Sequence, residues 1–270
     1  MLDVAPVSTP MNFSTKVSSQ GDPVDDLAAF KRLIGRLIYH TNTCPDITYA
    51  VHRLSQHVAS PTKLHHQVAF RILRYIKQTP GQGIFLKAIN TLTLKAYSDL
   101  DWASCPDSRK STTGYIVYLG DSPISWRSKK QSTVSRSSSE AEYRALAQTA
   151  CEIHWLINLL TDLRLPFSQP ATIFYDNHSA IKIAINQVFH ERTKHIEIDC
   201  HLIREKVQRG TIKLLPIHTT LQLADILTKT LSPSTFHTIN SKLGTLNIYA
   251  KLEGGCQKTI KSTTSDSAYN

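Results

Sequence analysis

Long apolar runs are missing from this 270-residue chain. No stretch approaches the ~20 residues that a membrane-spanning helix requires, and residues 1–22 show no basic-then-apolar leader pattern. Cysteine is scarce and poorly placed for pairing. The five residues, Cys44, Cys105, Cys151, Cys200 and Cys256, are scattered, odd in number and make no C-x-x-C pair. That spacing argues against a disulfide framework and a zinc ribbon, and points to a reducing compartment. Acidic residues are in the minority, 21 against 31 Lys plus Arg, giving a formal net charge of +10. A positive excess without a membrane-spanning candidate points to nucleic acid as the polyanionic partner. No internal repeat is visible. The expectation is a soluble intracellular protein, cytoplasmic or nuclear, with no membrane partner.

What is present falls into four stretches. Residues 1–24, rich in Ser, Pro and Thr without a period, read as a tail or linker. Residues 25–91 carry helical periodicity. Leu27, Phe30, Leu33, Ile34, Leu37 and Ile38 form one stripe, and Ile47, Ala50, Val51, Leu54 and Val58 a second, opened by Thr43 and Pro45. Val68, Ile72, Leu73 and Ile76 form a third, and 80–83 reads as a turn. Residues 92–232 change texture to α/β. Strands are expected at 92–98, 113–119, 124–127, 171–175 and 211–217. A long helix is expected at 139–163, with others at 179–187, 196–208 and 222–231. Residues 233–270 read as a C-terminal tail, partly disordered.

Four acidic residues stand at or beside these elements. Asp99 follows the first strand, Glu142 lies on the long helix, Asp176 follows the fourth strand, and Asp225 lies on the last helix. Gathered at one sheet, such a set holds hard divalent cations through carboxylate oxygens, and a pair of ions hydrolyses a phosphodiester. Each residue also has an ordinary reading. Ser137 with Glu140, and Ser139 with Glu142, both fit a capping box. Asp176 with Asn177 fits a turn or helix cap, Asp225 a solvated face, and Asp99 with Asp101 a surface loop.

These residues sit in segments that resemble a known family. YSDLDWA (97–103), SSSEAEYRAL (137–146), YDNHSA (175–180), RTKHIEID (192–199) and QLADILTK (222–229) resemble the ribonuclease H domain of copia-type LTR retrotransposon polyproteins, in that family's order. RLIGRLIY (32–39) and PDITY (45–49) are similar to its connection from reverse transcriptase into ribonuclease H. The resemblance implies an α/β ribonuclease H-like fold, a five-stranded mixed sheet flanked by helices, preceded by the small helical connection module. It implies an Mg2+-dependent endonuclease cutting the RNA strand of an RNA–DNA hybrid with two ions, Mn2+ substituting. The catalytic and metal-holding set would be Asp99, Glu142, Asp176 and Asp225, with Glu140 the alternative glutamate. No Tyr-x-Asp-Asp polymerase signature occurs in the chain. The expected partners are therefore the hybrid and the remaining palm and fingers of a longer polyprotein.

Phosphates of the hybrid would meet Arg109, Lys110, Lys129, Lys130, Arg136, Arg192, Lys194 and His195, with Ser138 and Asn177 reaching sugars or phosphates. The ordinary reading of each cluster is a solvated basic face. Trp102, Trp126 and Trp155 read as core or half-core. Two other functions fit the same residues: a catalytically silent, nucleic-acid-binding remnant, and an integrase-like core. The integrase-like order places the glutamate last, whereas here it is second and an aspartate is last.

Overall fold

The computed structural model describes residues 4–15, 17–165, 167, 169–177 and 197–249. Three helices open the chain. Asp26, in extended conformation, accepts the Ala29 N–H at 2.8 Å and starts α1, Leu27–His40. A 3-10 turn, Pro45–Ile47, with proline at its first position, leads into α2, Thr48–Ser55. Thr62 and His65 cap α3, Lys63–Gln78, the histidine taking the place of the usual acidic partner. The buried stripe of α1 is Phe30, Ile34 and Leu37, narrower than its periodicity suggests, because Leu27 and Ile38 at its margins are left exposed.

The five expected strands are present, as β2 Leu94–Asp101, β3 Thr112–Leu119, β4 Ser122–Lys130, β5 Ala171–Tyr175 and β6 Ile212–Pro216. They form one mixed sheet in the order β4-β3-β2-β5-β6. The first three pair antiparallel, and β2, β5 and β6 run parallel. The long helix is α4, Ser138–Asp162, capped by Ser137, and α5 spans Glu197–Gln208. Gly210 follows α5 at φ +68°, the left-handed position that closes a helix. The expected helix at 179–187 lies outside the described residues. Helices cover both faces of the sheet. Leu94, Ala96, Tyr115 and Val117 pack on α4 and α5, while Ile116 and Tyr118 pack with the apolar stripes of α1, α2 and α3. The helical stretch thus shares a core with the sheet.

Three expectations are corrected. Residues 4–15 and 17–24 contain no helix or strand, yet they are not a free tail. Met11 and Val17 are buried in the helical core, and Arg53, Arg71 and Lys77 donate to Val17 O, Thr9 Oγ1 and Val4 O. The stretch from 233 to 249 is ordered structure. It contains α6, Pro233–Asn240, and β7, Thr245–Asn247, which pairs antiparallel with β1, Gln82–Ile84, where only a turn was expected. Elements of eight and three residues are too short to leave a period in the sequence. Finally, the expected helix over 222–231 is a 3-10 turn, Leu223–Leu227. Gln222 ties its start by accepting the Ala224 N–H and donating to Ser98 O, and the Thr228 hydroxyl ties its end by donating to Asp99. These anchors leave no room for further turns.

Candidate active site

The central strand β2 supplies the first carboxylate. Its side chains alternate: Ser98 reaches Thr149 of α4 at 2.9 Å and Leu100 meets Ala141 and Ala145, while Tyr97 and Asp99 face the opposite way. The neighbouring β5 is parallel and in register, with Tyr97 opposite Phe174. Two residues further along each strand stand Asp99 and Asp176, at the same carboxyl-terminal edge of the sheet. Glu142 comes from the first turns of α4. Asp225 comes from the 3-10 turn, which lies over β2 and β3.

Gly114 makes that last placement possible. It is the cross-strand partner of Asp99. A Cβ on Gly114 would lie 2.6 Å from Thr228 Cγ2 and 2.8 Å from Leu227 Cβ. Only a residue without a side chain lets the turn come this close.

Asp99 and Asp225 are buried. Thr228 donates to Asp99 Oδ2, and the Lys229 ammonium lies 2.9 Å from Asp225 Oδ1 and 3.6 Å from Asp99 Oδ2. Tyr175 donates its hydroxyl to Glu142, and Asn177 donates to the other oxygen of that carboxylate at 3.2 Å.

The electrostatics report mutual proximity. Burial pushes Glu142 up to about 8. The Asn177 hydrogen bond opposes the rise, and the charges of Asp99 and Asp176 add to it. Burial, then the charge of Asp99, raises Asp225 to about 7, and the same two causes raise Asp176. Burial raises Asp101 as well, with a smaller contribution from Asp99. Burial alone would depress the Lys229 ammonium, but Asp99 and Asp225 outweigh it and hold it above the usual lysine range.

Glu140 takes no part in this cluster. It accepts the Arg136 N–H at 2.8 Å and pairs with Arg144 at 2.7 Å, which makes it the capping-box glutamate of α4. Of the expected nucleic-acid contacts, Arg109, Lys129, Arg136 and Ser138 are exposed, and Lys110 is half-buried. Lys130 turns its ammonium towards Cys105, 3.7 Å away, and Asn177 is engaged with Glu142. Arg192, Lys194 and His195 lie outside the described residues. Trp126 is half-buried and donates to Thr41 O, whereas Trp102 and Trp155 stand half in solvent at 50% and 57% exposure. Beside the carboxylates opens a cleft of about 320 Å³ lined by Phe13, Tyr49, Arg53, Asp101, Arg109 and Lys229.

An all-carboxylate donor set fits a hard cation such as Mg2+ by its chemistry. Among the described residues, no three such side chains are drawn together into one ligand set, and Lys229 stands on two of the four. Lys229, Thr228, Tyr175 and Gln222 were not singled out in the sequence. The one signal for Lys229 is its place four residues after Asp225, the spacing of an ion pair along a helical turn.

No family model matches the chain. It is 49% identical over 249 residues, 92% of its own length, to the retrovirus-related Pol polyprotein from transposon RE1 of Arabidopsis thaliana. It is 35% identical over 252 residues to that from transposon TNT 1-94 of Nicotiana tabacum. The chain spans 17% and 19% of the length of these relatives. A foamy viral protease-reverse transcriptase, solved in complex with an RNA/DNA hybrid, is similar at a TM-score of 0.46 and 15% identity over 76% of this chain and 26% of that one. On the sequence relationship, the chain belongs with the retrovirus-related Pol polyproteins of copia-type transposons and matches one segment of them.

Proposed function

We propose that the chain is a ribonuclease H-type endonuclease that cuts the RNA strand of an RNA–DNA hybrid during retrotransposon reverse transcription, alongside the remaining reverse transcriptase of a longer polyprotein. The observation that carries this reading is the arrival of Asp99, Glu142, Asp176 and Asp225 from four separate elements at one edge of the sheet, where three of them share the strain of Asp99's charge. Asp99 and Asp176 would hold the divalent ions from the rigid ends of parallel strands, with Glu142 and Asp225 completing the set. Two Mg2+ ions, or Mn2+ in their place, would supply activation of the attacking water and stabilisation of the leaving oxygen. Asn177 and Tyr175 orient the Glu142 carboxylate. Arg109, along the adjoining cleft, would receive backbone phosphates.

The test is cleavage of an end-labelled hybrid with and without Mg2+, using single-stranded RNA and duplex DNA as controls. RNA should be cut only in the hybrid and only with metal. Asp99→Asn should lower turnover by roughly a hundredfold or more, the scale of losing one group that stabilises developing charge. A folded wild-type chain that binds hybrid yet yields no product in Mg2+ or Mn2+ would instead be a silent remnant.

A further inference from the structure

We propose that Lys229 is a built-in counter-ion that neutralises the carboxylate cluster in the metal-free protein and has to leave it when divalent cations enter. The inference rests on the reading of the cluster as a divalent-cation site. Its own support is the position of one ammonium group. Lys229 Nζ lies 2.9 Å from Asp225 Oδ1 and 3.6 Å from Asp99 Oδ2, on two of the four proposed ligands. Its charge is also felt by Glu142, Asp176 and Asp101. It thus answers five acidic side chains.

The surroundings allow it to move. Its side chain is 34% exposed, whereas those of Asp99 and Asp225 are 7% and 8% exposed. The carboxylates are fixed in the fold, while the flexible four-carbon stem of the lysine opens onto the cleft shared with Arg53 and Arg109. The Thr228 hydroxyl on Asp99 Oδ2 keeps that carboxylate oriented when the ammonium goes. A cation entering between Asp99 and Asp225 meets a like charge at contact range and has to displace it. Lys229 therefore weakens metal binding while it strengthens the metal-free fold. These opposite effects separate a counter-ion from a lysine that only packs or only grips substrate.

The experiment is a Mn2+ titration of the full chain, followed by electron paramagnetic resonance at one neutral pH, with metal-free melting temperatures measured in parallel. Lys229→Met should bind Mn2+ on the order of tenfold tighter, the scale of removing one unit charge near a divalent ion at a partly exposed site, and should melt at a lower temperature without metal. Lys229→Arg, which keeps the charge, should stay near wild type in both. Lys229→Gln keeps a donor for Asp225 without the charge and should repeat the tightening if the methionine variant does not fold. Wild type that binds Mn2+ with charge-removing variants that bind no tighter overturns the counter-ion role alone. If neither wild type nor variants bind Mn2+, the divalent-site reading falls, and the counter-ion role falls with it.

Discussion

Glu142 is a carboxyl group held among other carboxyl groups, with a tyrosine hydroxyl and an asparagine amide to fix it. Its ordinary value of 4.5 rises to about 8. Between those two values the folded metal-free protein keeps a proton that the unfolded chain has released. Stability is therefore fully present below about 4.5 and is lost as pH rises through about 8. Glu142→Gln removes this contribution, so the metal-free variant should be more stable than wild type above the upper value, by roughly 1–3 kcal/mol. Its melting temperature should also fall less steeply with pH. Asp225, raised to about 7, leaves part of the slope in place. Melting curves across this window check the sign, and a variant less stable than wild type at alkaline pH would contradict it. The sequence alone left Glu140 and Glu142 both fitting a capping box. Separating them took the path of α4 over the sheet, which turns one glutamate to Arg144 and the other to the aspartates.

At the scale of elements, the placement of Asp225 depends on how closely a 3-10 turn approaches a strand. Gly114→Ala puts a methyl group within 2.8 Å of Leu227 Cβ and 2.6 Å of Thr228 Cγ2. The expected cost is roughly 1–3 kcal/mol, the range for overpacking a close contact. Hybrid cleavage should fall with it, because Thr228 and Asp225 move together. A variant with unchanged melting temperature and turnover would show that the contact is slack. Long, strongly patterned elements were legible in the sequence. The apolar spacing of α4 and the alternation of β5 place both to within a residue or so. The Asp225 turn was not legible as a turn, since Leu223, Ile226 and Leu227 are all buried and fit a helical stripe equally well. Its length is set by Gln222 and Thr228 reaching β2, which are contacts across more than a hundred residues of sequence.

For the molecule as a whole, the boundary expected near residue 92 is absent from the packing. Ile116 and Tyr118 of the sheet, Phe30, Ile34 and Ile72 of the first helices, and Phe236, Ile239 and Leu243 near the C-terminal end form one buried cluster. A chain ending at Ser232 loses the last three, each a buried side chain worth ~2–4 kcal/mol, and also the strand that pairs with β1. It should unfold at much lower denaturant than the full chain, or fail to fold. A truncated chain with the full-length midpoint would show that α6 and β7 merely decorate the surface. The pairing of β1 with β7 also bears on synthesis. Gln82 and Thr245 touch across 163 residues. At cellular rates of elongation the ribosome needs on the order of ten to thirty seconds to make that interval. Throughout it, the first three helices have emerged without Phe236, Ile239 and Leu243, which complete their buried cluster. The nascent chain is thus exposed to misassociation over that interval, until β7 emerges to pair with β1.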